Sequence, residues 1–223
     1  MNPARYTHHL FTIIIVAVCF GTGCRDSGSI EVPTDEETVA KVSSRFPGIV
    51  APLIDPAKLD SLKGKRAATP RLRKACYYLE MAKRDGNDLG TVIDQAHALT
   101  GPHKAERMKA QEDSLIRNVT ILERLGCLDE AGMPKLRRGK APTITKGPYA
   151  GEIVTGDHII PRSVCEELDE RLYNLEFLPL TLNQRKGAKI GQRQIDLARR
   201  WHRDGLLSKE GFNMVLSNEG DNR

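Results

Sequence analysis

The spacing of apolar residues changes character at Gly132, and that change restricts the chain to an α+β fold. Upstream, Leu72, Ala75, Cys76, Leu79 and Ala82 recur at helical intervals and predict a helix over 71–84, stopped by Asp85-Gly86. A second helix is expected over 89–99, closed by Thr100-Gly101-Pro102. The longest spans 104–125, with Met108, Leu115, Val119 and Leu122 on one face and Gly126 as its C-cap. An earlier helix over 35–46 starts on acids and is expected to end at Pro47; a short one over 57–62 lies among Pro52, Pro56 and Pro70. Residues 35–131 therefore read as a helical region, in which Tyr77, Tyr78, His97 and His103 belong to the core edge or surface. Downstream, the β-branched run at 152–155 and the apolar run at 175–180 predict two short strands. An amphipathic helix over 191–203, with Ile195, Ala198 and Trp201 inward, and a last short helix over 206–216 complete the chain.

Charge is distributed as unevenly as hydrophobicity. Fourteen Lys/Arg face eight Asp/Glu between 135 and 203, an excess greater than the +5 of all 223 residues. The basic surplus thus surrounds the two strands and leans towards a polyanionic partner, although charge alone reads as a solvated surface. The opening 24 residues have a different purpose. Arg5 without acids over 1–9, an apolar run over 10–20 and small residues before Cys24 form the layout of a secretory signal. The run is shorter than the ~20 residues of a membrane span. Gly21-Thr22-Gly23-Cys24 resembles a bacterial lipoprotein cleavage site, with Gly21 where that signal has Leu, and implies lipidation of Cys24. An exported protein is expected, either secreted or held in the periplasm or cell envelope by a lipid or an uncleaved anchor, with 25–34 as a tether. Cys76, Cys127 and Cys165 then form one disulfide with one cysteine over, or stay as three buried thiols; no C-x-x-C pair exists for a four-cysteine zinc site.

The chemistry-bearing residues gather between 156 and 186. Asp157-His158 follows the first strand, Asn174 opens the second apolar run, and Asn183 lies three residues before Lys186. Phosphodiester hydrolysis needs a base for water, stabilisation of charge on phosphorus, and help for the leaving oxygen. Histidine is the side chain suited to that base at neutral pH, and His158 is the candidate. Asp157 and the Asn183 carbonyl are hard oxygen ligands for a divalent ion. Lys186, on the same helical face as Asn183, is a cation for the phosphate. Adjacent strand residues point to opposite faces, so Asp157 and His158 share a site only if the chain turns after them. Pro161 and the acidic loop that follows permit such a turn. Taken singly, Asp157 caps a turn, Asn174 is a turn residue and Asn183 a helix-start residue. Taken together at this spacing and inside a basic region, they point to catalysis.

This stretch resembles the HNH endonuclease family, whose core is two strands, a loop and a helix around one metal ion. The resemblance covers about thirty residues strictly and 132–201 loosely; by it, 132–223 is the nuclease domain with its C-terminal helices. It implies a metal-ligand role for Asp157 and Asn183, general-base catalysis by His158, and a loop-pinning role for Asn174 that helps hold the histidine. The Asn-x-x-Lys ending brings in Lys186. The implied cofactor is a divalent ion, Mg²⁺ foremost, with Mn²⁺, Ni²⁺ or Zn²⁺ as alternatives. The implied partner is DNA, or RNA, with Arg162, Arg185, Arg193, Arg199 and Arg200 available to its backbone phosphates. Two departures stand out. Gly156 occupies a position that is usually apolar or acidic, and the flanking zinc pairs of many relatives are missing, so the helical region must brace the core. The competing expectation is a non-catalytic envelope lipoprotein that binds nucleic acid or a protein partner on the same scaffold.

Overall fold

The computed structural model describes residues 45–62 and 67–219. The expected signal, Cys24, the tether over 25–34 and most of the first expected helix lie outside the described residues. Among the described residues six helices come first: α1 (Arg45–Ile54), α2 (Pro56–Asp60), α3 (Ala68–Arg84), α4 (Leu89–Ala98), α5 (Ala105–Arg124) and α6 (Gly132–Arg137). Strands β1 (Val154–His158) and β2 (Leu175–Pro179) form a two-stranded antiparallel sheet, and α7 (Leu180–Lys186), α8 (Gln192–Arg203) and α9 (Lys209–Ser217) follow. The protein is α+β, largely helical around one small sheet. Among the described residues no helix is long and apolar enough to cross a membrane.

Local chemistry accounts for most boundaries. Asp88 caps α4 by accepting from Thr91 N at 2.8 Å, and Ser208 caps α9 by accepting from Gly211 N at 2.9 Å. Pro47 does not end a helix as its sequence context suggests. It sits in the first described turn of α1, and the helix continues through Pro52 to Ile54. The carbonyl that Pro52 leaves without a ladder donor belongs to Gly48, which is exposed to solvent. Burial of Phe46, Val50, Ala51 and Ile54 outweighs the remaining penalty.

Two apolar cores hold the molecule. The first joins α1 to α6 with one face of the sheet, through Val154, Leu175 and Phe177. The second lies beneath the loop between the strands and gathers Ile160, Leu168, Tyr173, Ile195, Trp201 and Val215. The sheet is thus built into the helical region, and α5 does more than pack on it. A two-stranded sheet has open edges, and the Asn118 side chain closes that of β2. It accepts from Phe177 N at 2.9 Å and donates to Leu175 O at 3.0 Å, as a third strand would. Ser114 Oγ donates to Leu172 O at 2.7 Å beside it. On the same buried face, a Cβ at Gly156 would lie 2.5 Å from Thr69 Cγ2, so glycine is what lets the start of α3 lie against β1. This accounts for a glycine at 156.

Asn118→Leu keeps the volume and removes both sheet-edge bonds. It is expected to cost roughly 2–3 kcal/mol, because the buried Phe177 N–H loses its acceptor. That corresponds to a fall in Tm of about 5–10 °C by calorimetry; an unchanged Tm would show that water closes the edge instead.

Candidate functional site

The pleat sends Thr155 and Asp157 to one face of β1 and His158 to the other. Helix α7 lies across the first face. Asn183 Nδ2 donates to Thr155 Oγ1 at 2.9 Å, and Lys186 Nζ stands 2.8 Å from Asp157 Oδ2 while donating to His158 O at 2.6 Å. The helix is seated by Glu152, whose carboxylate accepts from Thr181 N at 2.9 Å and from Thr181 Oγ1 at 2.7 Å. Those bonds hold the Glu152 carboxyl below the usual carboxylate range, and its charge suits a helix start.

His158 is the last residue of β1, and the chain turns immediately after it. Residues 161–171 then fold back over the ring. His158 Nε2 lies 2.8 Å from Asp169 O, and because a carbonyl only accepts, Nε2 carries the proton. The unprotonated nitrogen of the neutral ring is therefore Nδ1, which has no hydrogen-bond partner among the described residues. The turn places Asp157 and His158 on one cleft, of about 320 Å³, together with Pro161, Arg162, Asp169 and Asn183.

Asn174 organises the turn from below. It is fully buried in the single 3-10 turn Leu172–Asn174 that leads into β2. Its Oδ1 accepts from Ile160 N at 2.8 Å, and its Nδ2 donates to Ile160 O at 2.9 Å and Leu168 O at 3.2 Å. Its own carbonyl accepts from Ile159 N at 2.7 Å. One amide thus ties both ends of the loop to the strand carrying the histidine. The loop is also fixed outward: Glu167 accepts from Ser208 N at 2.8 Å, Glu170 accepts from Ala68 N at 3.1 Å, and Arg171 pairs with Asp60.

The arginines divide into groups. Arg162 lines the cleft and lies 3.3 Å from Asp169 Oδ2, with its side chain 41% exposed. Arg185 is exposed on α7. Arg193 is committed elsewhere, in a two-pronged pair with the buried Glu176 at 2.8 and 2.5 Å that clamps α8 to β2. Arg199 pairs with Asp196 at 2.9 Å on the exposed side of α8, and Arg200 lines a different cleft, between α5 and α8, with Tyr173 and Trp201. The fold therefore gathers Asp157, His158, Arg162, Asn183 and Lys186, with Asn174 beneath them, and keeps Arg193, Arg199 and Arg200 out of the cleft.

Asp169, Thr155 and Glu152 are parts of the site that sequence reasoning missed. Asp169 is one of four acids between 166 and 170, and nothing in that run distinguishes it. Cys76, Cys127 and Cys165 are free and buried, and burial pushes the Cys127 thiol up to about 12. They take no part in the cleft.

Among the described residues no group of three His, Cys, Asp or Glu is arranged to hold a metal ion. The oxygens at the cleft nevertheless suit a lightly ligated hard cation. Asp157 Oδ2 is buried and faces the Lys186 ammonium at 2.8 Å, which also donates to His158 O. Asn183 commits its Nδ2 to Thr155, and its Oδ1 has no hydrogen-bond partner among the described residues. Mg²⁺ is commonly held by one or two such oxygens together with waters and substrate phosphate. No protein-family model, curated protein or solved structure matches this chain.

Proposed function

We propose that the chain is a metal-dependent endonuclease of the HNH kind, hydrolysing phosphodiester bonds in DNA with little sequence specificity. The observation that carries this reading is the convergence on one cleft of an imidazole with a fixed tautomer, a carboxylate paired with an ammonium, and an amide oxygen left free. His158 Nδ1 accepts the proton of the attacking water. Asp157 and Asn183 hold the divalent ion. Bound there, such an ion stabilises charge on the phosphate and on the leaving oxygen. Lys186 neutralises Asp157 in its absence and turns to a phosphate oxygen in substrate, while Arg162 and Arg185 meet flanking phosphates. These contacts address the backbone and not the bases, which supports low sequence specificity. The signal-like residues 1–24 support action outside the cytoplasm, at the cell envelope.

The test is digestion of supercoiled plasmid by protein lacking residues 1–24, with Mg²⁺, Mn²⁺ or EDTA. Nicking or linearisation with metal and none in EDTA is expected. Three phosphate contacts also predict that DNA affinity falls by roughly one to two orders of magnitude between about 50 and 200 mM salt. Plasmid left intact with every metal while a mobility shift persists would overturn the enzyme and leave a nucleic-acid binder.

A further inference from the structure

His158 Nε2 faces two oxygens of one residue. Its hydrogen bond goes to the main-chain oxygen of Asp169 at 2.8 Å, and the side-chain Oδ1 of the same residue lies 3.0 Å away. Oδ1 is buried and no hydrogen bond is directed at it, although its partner oxygen takes Arg162 Nη1 at 3.3 Å. The carbonyl alone suffices to set the tautomer of His158. A buried carboxylate oxygen without a donor costs free energy, and the loop bearing it is anchored at Ser208, Ala68 and Asp60, so its placement is enforced from three sides.

We infer that the Asp169 carboxylate is a positioning residue that acts through His158, standing beside Nε2 to stabilise the imidazolium formed when Nδ1 takes a proton. This rests on the nuclease reading above. In the step concerned, an O–H bond of water breaks, its proton passes to Nδ1, and its oxygen forms the new bond to phosphorus. The ring gains one positive charge, and the negative charge of Asp169 is already in place at 3.0 Å with no side-chain motion required. Two atoms of one residue thereby divide the work: the main-chain oxygen holds the ring, and the side chain favours its charged form.

Asp169→Asn separates these tasks, because the amide fills the same space and the main-chain oxygen is untouched. With the full chain, Mg²⁺ and a duplex oligonucleotide, kcat is expected to fall about 10- to 100-fold, with KM within about twofold. The ¹⁵N spectrum of the His158 ring without metal should show the Nε2–H tautomer in both proteins. Asp169→Ala should match Asp169→Asn in kcat, since both lack the charge. An active wild type beside an Asp169→Asn variant within twofold of its kcat would overturn the inference alone. A shifted tautomer, or a rise in KM equal to the loss in kcat, would also overturn it, by reducing Asp169 to a structural prop. An inert wild type would instead remove the nuclease reading beneath it.

Discussion

His158→Ala is expected to lower metal-dependent cleavage by at least about a thousandfold, near the upper range for loss of a positioned general base, while leaving DNA affinity within a few-fold. The separation follows from geometry. The ring gives its Nε2 hydrogen to Asp169, so what it offers the cleft is a lone pair and not a cation for phosphate. Phosphate attraction comes instead from Lys186, Arg162 and Arg185, which the substitution does not touch. The ring lies at the end of β1, and its hydrogen bond is to the Asp169 carbonyl. Single-turnover cleavage of a labelled duplex, beside a mobility-shift titration in EDTA, measures both quantities. Cleavage persisting within tenfold of wild type would remove His158 from the mechanism. Loss of binding in parallel with cleavage would mean that the histidine holds DNA.

Asn174→Ala is expected to have the largest effect on stability. It strips the partners of Ile160 N and Ile160 O in a fully buried setting and leaves Leu168 O only the Arg171 N–H at 3.4 Å. Each such orphaned group costs about 1–3 kcal/mol, so the total is roughly 2–6 kcal/mol, a drop in Tm of about 5–20 °C. The damage should stay local at first, because α1 to α6 belong to the other core. Hydrogen exchange is expected to quicken over 159–174 well before the helices of that core respond. Cleavage should be lost even below the new Tm, since a loosened loop withdraws Asp169 from His158. Uniform exchange across the chain would instead show one cooperative unit and no separate loop platform.

Much of the molecule was legible in advance, for identifiable reasons. The helices α3, α4, α5 and α8 carry apolar stripes at helical spacing and have Gly, Asp or Pro at or just beyond their ends, so local rules suffice. The error at Pro47 arose because a proline stops a helix only where its missing N–H and its ring meet a committed turn. The first turn of α1 tolerates one, and exposed Gly48 tolerates the effect of Pro52. Asn174 was legible as a candidate because it opens an apolar run, and Asn183 because it stands three residues before Lys186. Which partners they take was not legible, since Ile160 and Thr155 are reached only through the turn and across the sheet.

By itself, then, the sequence determined the α+β class, the run of helices before two short strands, and the clustering of Asp157, His158, Asn174, Asn183 and Lys186 in thirty residues. These depend on periodicity, turn chemistry and proximity along the chain. Only the tertiary structure decided which charges face the cleft. It paired Arg193 with buried Glu176, set Asp169 against the histidine and made Asn118 a surrogate strand. The physical reason is that a buried charge or sheet edge must be satisfied by whatever the packing brings within 3 Å, and in this fold that partner comes from as far as 59 residues along the chain.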